Sequence, residues 1–129
     1  MEKDILNVKI NLAKTGLESC FKPYKVLMLK HAWSSMTSEE PEGSGKIWPR
    51  VNELLPDGKS ISRASVIFAA NLFVDAGIWG WKDATGKGGH HKLYYPLMSE
   101  AEFWDRLADS VINRINLNAG RKLFIKLRG

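Results

Sequence analysis

From Ser60 to Trp79 the chain reads SISRASVIFAANLFVDAGIW, a helix that must stop on a glycine and pass at once into a strand. Ser62 is placed to cap the helix, because its hydroxyl can accept a bond from an orphan N–H of the first turn. Val66, Ala69, Ala70, Phe73 and Val74 fall on one face at helical spacing, while Arg63, Ile67 and Asn71 fall on the other. Ala69 and Ala70 are small enough to let a neighbouring helix come close. Gly77 supplies the left-handed residue that ends the helix. Leu72 sits on neither face comfortably, and its burial would mean a helix rotated from this orientation.

The rest of the chain is arranged around that stretch. Leu6, Val8, Ile10 and Leu12 alternate with polar residues as in a strand, although Ile5, Val8 and Leu12 also fit a helix. Pro23, suited to a first turn, opens a helix carrying Tyr24, Leu27, Met28 and His31 and closing near Ala32 to Ser35. Residues 34–44, with Glu39, Glu40 and Glu42, read as an exposed acidic loop. A short helix over Ile47 to Leu55 has Pro49 in its first turn and Val51, Leu54 and Leu55 on its apolar side. Pro56-Asp57-Gly58 breaks it with strong turn chemistry, so a steep angle to the next helix is expected.

Beyond Gly77, Ile78 to Lys82 and His91 to Leu97 read as strands of a hairpin with a long glycine-rich tip from Asp83 to His90. Pro96 ends the ladder or lies on its edge. Trp79 and Trp81 share a strand face and read as packing for the hairpin. Ser99 and Glu102 form a capping-box pattern. Trp104, Leu107, Ala108, Val111 and Ile115 then make an apolar stripe, and Glu102 and Arg106 are spaced to pair. Asn118-Ala119-Gly120 ends this helix, and Lys122 to Arg128 is a basic alternating segment able to pair with the N-terminal strand.

Composition narrows the classes of function. A net charge of +5 and a pI of about 9.4 favour a polyanionic partner. A single cysteine, Cys20, excludes an internal disulfide and a multi-cysteine zinc site, and reads as a buried or half-buried small residue. No apolar run approaches the roughly 20 residues that span a bilayer, and Met1 to Asp4 lack the basic-then-apolar order of a signal peptide. A cytoplasmic protein is expected. Gly86 to Gly89 sit in a hairpin rather than between strand and helix, so they are no nucleotide-binding fingerprint. The loop glutamates have no paired base in sequence, and adjacent His90 and His91 point to opposite strand faces. Neither an enzyme nor a metal or other cofactor is expected.

The order helix, helix, helix, hairpin, together with the run SRASVIFAANLFVDAGI, resembles winged helix-turn-helix transcription regulators of the penicillinase-repressor type and related archaeal regulators. The likeness rests on a Ser cap, the Ser65-Val66 step, Asn71, and the ending Phe73, Gly77, Ile78; Tyr94-Tyr95-Pro96 is similar to the closing strand of the same wing. It spans about Pro23 to Ile115. The chain departs from the pattern at Leu72, where a polar or basic residue is usual, and at the light pair Ala69-Ala70. The resemblance implies an α+β winged-helix fold, with 1–22 as an N-terminal extension and 23–97 as a DNA-binding domain. Residues 98–118 then form a C-terminal dimerisation helix, and 119–129 a basic tail.

It also implies a sequence-specific regulator of double-stranded DNA with helix 62–76 in the major groove, whose base edges are distinguishable. Arg63 would bond guanine and Asn71 adenine, Ser62 and Ser65 would meet phosphate, and Ile67 or Phe68 would touch a thymine methyl. In the wing, Lys82, Lys87, His90, His91 and Lys92 would lie on the backbone or in the minor groove. After such a domain a lone amphipathic helix has little of its own chain to pack on. Trp104, Leu107, Val111 and Ile115 would then form a homodimer seam, and the dimer would bind a near-palindrome. The alternative is a winged-helix module that binds protein or RNA without operator recognition.

Overall fold

Ser62 begins a helix because its hydroxyl takes a donor that the helix cannot satisfy itself: Ser65 N–H donates to Ser62 Oγ at 3.1 Å. The far end is closed as completely. Gly77 has φ of 84°, which lets Ile78 N–H donate to Phe73 O at 2.9 Å and Gly77 N–H to Val74 O at 3.0 Å. These paired bonds form a Schellman motif, and Phe73 and Ile78, both buried, make the apolar contact that accompanies it. The chain therefore leaves the helix in one direction only, straight into the hairpin.

The computed structural model describes residues 9–11, 13–86 and 89–119. Among them lie a 3-10 turn at Gly16–Ser19 and helices α1 (Pro23–Ser35), α2 (Ser44–Leu54), α3 (Arg63–Asp75) and α4 (Glu100–Ala119). Strands β1 (Trp79–Gly86) and β2 (Gly89–Pro96) pair as an antiparallel sheet. The architecture is α+β. The alternating segment over residues 5–12 and the basic tail from Lys122 to Arg128 lie largely outside the described residues.

Val66, Ala69, Ala70 and Phe73 of α3 are buried, as the helical spacing predicts, and Val74 is half-buried. Leu72 stays 38% exposed, so the orientation assigned from the sequence stands. A run of aromatic rings ties the elements together. Tyr94 of β2 meets Trp79, which meets Phe73 at 4.8 Å between ring centroids; Phe73 meets Phe21 edge-on, and Phe21 lies against Phe103 of α4. Offset and edge-on rings add roughly 0.5–1.5 kcal/mol per pair beyond burial. The core thus takes Leu17, Phe103 and Leu107 from outside 23–97.

Residues 55–62 between α2 and α3 are stapled by side chains. Asn52 accepts from Ile61 N–H and donates to Ile61 O, and Trp48 Nε1 donates to the same carbonyl. Asp57 and Gly58 both have positive φ, with Lys59 N–H donating to Pro56 O, so the turn chemistry read from Pro56-Asp57-Gly58 is realised.

The structure corrects several expectations. Helix α2 begins at Ser44, not Ile47, which puts Pro49 inside the helix rather than in its first turn. The hairpin strands run on to Gly86 and Gly89, with Asp83 opposite Lys92 and Ala84 opposite His91, so the tip is short. Six residues assigned to a loose tip, Asp83 to Gly86 together with Gly89 and His90, are instead paired in the ladder. Glu42 is not in an exposed loop: it is 7% exposed and exchanges two backbone bonds with Tyr94, like a one-residue third strand. The capping box at Ser99 and Glu102 forms in both directions, so the Glu102 carboxylate turns back to the helix start rather than toward Arg106. Among the α4 residues whose burial is described, Phe103, Leu107 and Ser110 are buried. The inward face is offset from the predicted stripe by one residue at Phe103, leaving Trp104 half-buried.

Candidate functional site

Three elements converge on one groove of about 500 Å³. Helix α3 contributes Arg63, Ile67 and Asn71, one side of a helix at four-residue spacing. Gly43 to Lys46 bring in the start of α2, and Ala84, His91, Lys92, Leu93 and Tyr94 bring in the hairpin. None of these lining residues carries a carboxylate, and Lys46, Arg63 and Lys92 carry positive charge. The start of α2 adds to this. Its first N–H groups have no intrahelical partner, Gly43 offers no capping side chain, and the helix dipole is positive at that end.

The groove side chains are held by one another. Arg63 Nε donates to Ser44 Oγ at 3.1 Å, joining α3 to the start of α2. A Cβ at Gly45 would come within 3.2 Å of Arg63 Nη2, so Gly45 leaves room for the guanidinium. Asn71 Oδ1 accepts from the Tyr94 hydroxyl at 3.1 Å and from Lys92 Nζ at 3.4 Å, joining α3 to β2. Burial pushes the Tyr94 phenol above its ordinary range, which keeps it protonated and a donor. Lys92 also lies over the Trp81 ring, 4.9 Å from its centroid.

The hairpin is held from behind by a buried pair. His31 Nε2 of α1 lies 2.7 Å from Glu42 Oε1, both side chains at least nine-tenths buried. Glu42 Oε2 is 4.0 Å from Lys46 Nζ. Since the Glu42 backbone is bonded to Tyr94, this pair fixes β2 relative to α1 and α2. The acidic loop thus has a paired base after all, contrary to the reading of its sequence.

Of the residues singled out in sequence, Arg63, Ile67, Asn71, His91 and Lys92 meet in the groove. Ser62 and Ser65 bond each other at the start of α3. Phe68 is on the outer surface of α3, 64% exposed. Lys82 does not join the groove: its Nζ donates to Ser38 O, and it lies against the Tyr95 ring. His90 is in β2 opposite Thr85, and Lys87 lies outside the described residues. Of the proposed seam, Leu107 belongs to the chain's own core and Trp104 and Val111 pack against that core while half-buried, so the helix does find its own chain to pack on; Ile115 is partly covered.

Sequence reasoning missed Gly43 to Lys46, Leu93 and Tyr94. The signal for the first was the run Gly-Ser-Gly-Lys at the start of α2, small residues that expose backbone followed by a cation. Among the described residues no three His, Cys, Asp or Glu side chains gather as a metal site requires, and no helix is long and apolar enough to cross a membrane. Compared with known proteins, the chain gives no significant match to a family model, a curated protein or a solved structure.

Proposed function

We propose that the protein is a winged helix-turn-helix regulator of duplex DNA, with α3 entering the major groove and the β1–β2 hairpin acting as the wing. The observation that carries this reading is the carboxylate-free groove bounded by α3, the start of α2 and β2. DNA demands such a layout: a helix exposed along one side to meet base edges, with cations and helix N-termini beside it to hold phosphates. The element order supports the reading as well, since α1 to α3 followed by the hairpin is compatible with a winged-helix layout. In this arrangement Lys46, Arg63 and Lys92 neutralise the backbone. The partly covered Trp104, Val111 and Ile115 of α4 supply the contact with a second copy, which places two α3 helices on a near-palindromic site.

Selection of bound sequences from random duplex DNA tests the function directly. A recurrent near-palindrome whose binding weakens steeply with salt is the expected result, and Arg63→Ala weakens that binding and makes its salt dependence shallower. Binding no stronger than that to heparin would defeat the reading. Sedimentation on the selected duplex tests the dimer, and one copy per site would sink that part.

A second reading has an observation of its own. Ile67, Phe68 and Leu72 leave an apolar surface on α3, which suits a protein partner as well as a groove. That reading prevails if the selection enriches nothing.

A further inference from the structure

We infer that the protein reads its site mainly through thymine methyl groups, by apolar contact from α3, rather than through two-point hydrogen bonds to bases. This rests on the duplex-DNA reading and specifies the bases at its centre.

The outward surface of α3 runs through Ala64, Ile67, Phe68, Asn71 and Leu72. Phe68 is 64% exposed, the most exposed of the chain's large apolar side chains among the described residues, and Ile67 and Leu72 are 39% and 38% exposed. Exposed apolar side chains gathered on one helix face mark a contact surface for a partner. The polar groups beside it are each held by part of their hydrogen-bonding capacity. Arg63 Nε is held by Ser44 of α2, turning the guanidinium toward Gly45 and the side of the groove. Asn71 must present both its oxygen and its amide nitrogen to pair with an adenine edge, yet its oxygen already accepts from Tyr94 and Lys92. Between them the outward positions Ala64, Ile67, Phe68 and Leu72 present hydrocarbon.

The cations identify the occupant. Lys46, Arg63 and Lys92 line the groove that Ile67 also borders, one position along the helix from Phe68, and a partner that fits must set apolar groups beside anions. In the major groove of DNA the thymine C5-methyl is the apolar group on the base edges, and phosphates run alongside it. A protein partner with a purely apolar face would leave those cations unanswered.

Removing the methyls alone is the decisive experiment. Duplexes enriched by selection are resynthesised with uracil in place of thymine, which deletes the C5-methyl and leaves every hydrogen-bonding group unchanged. Affinity is expected to fall about fourfold for each methyl that the helix covers. Phe68→Ala is expected to erase most of the thymine–uracil difference while keeping the salt dependence of binding, and Ile67→Ala to erase a smaller part. Circular dichroism checks that both variants fold. Equal binding of thymine and uracil duplexes, with steep salt dependence intact, would overturn the inference and leave the DNA reading standing. A thymine–uracil difference that survives Phe68→Ala and Ile67→Ala together would also overturn it. No duplex binding above that of heparin would defeat both.

Discussion

Phe68 and Phe73 are the same residue type on the same helix, five positions apart, and they have opposite surroundings. Phe73 is 1% exposed and lies between Phe21 and Trp79; Phe68 is 64% exposed. Helical geometry alone separates them, because five residues turn the side chain through more than a third of a revolution beyond a full turn. The inner face of α3 is explained by the fold. The outer face is not: among the described residues nothing packs over Phe68, which makes it a candidate for contact with a partner. A helix that is apolar nearly all round, yet not buried all round, points to a partner.

The contrast breaks most visibly in stability. Phe73→Ala is expected to cost about 3–5 kcal/mol in urea unfolding, since it opens a cavity at the centre of the ring cluster. Next comes Glu42→Ala, at about 1–3 kcal/mol, because it strands a buried imidazole. It also frees the hairpin from its anchor on α1 and removes the carboxylate 4.0 Å from Lys46, so it should alter DNA binding as well. Ser62→Ala is expected to cost about 1 kcal/mol through the loss of the α3 cap. Phe68→Ala closes the series at less than about 0.5 kcal/mol. A loss above 1 kcal/mol, on the order of a cap deletion, would show that the outer face is structural and remove the reason for assigning it to a ligand.

A pH effect sharpens the same comparison at the groove. The Tyr94 phenol stands above its ordinary value of 10.0 because burial disfavours the phenolate. Folding therefore favours the neutral form. That stability is complete below the ordinary value and is lost as the pH rises through the folded-state value. Tyr94→Phe should lower stability modestly near neutral pH, by about 0.5–1.5 kcal/mol for the bond to Asn71, and flatten the alkaline limb of the stability profile. An unchanged alkaline limb would mean that Tyr94 is not the group responsible.

How much was legible in the sequence follows from how local the physics was. The capped start and glycine stop of α3, its inner face and the capping box at Ser99 all depend on residues within one turn of each other, and all can be read directly. Glu42 could not be read. Its burial depends on His31, eleven residues back, and on Tyr94, which only folding brings beside it. The acidic neighbours Glu39 and Glu40 concealed it. Lys82 and Lys92 look alike in a basic hairpin, yet one bonds the loop at Ser38 and the other borders the groove, a difference set by strand register. The inward face of α4 was misplaced for the same reason. Both Phe103 and Trp104 suit a stripe at helical spacing, and only the position of Phe21 and Trp33 selects Phe103.

The most direct test of the DNA reading is the salt dependence of equilibrium binding to a selected duplex, measured for the natural chain and for Lys46→Ala. The account predicts a straight decline of log affinity with log salt. Its slope should become shallower by about 0.9 when the Lys46 contact is removed. A slope near zero, or one that Lys46→Ala leaves unchanged along with the affinity, would contradict the assignment of the groove to a phosphate backbone.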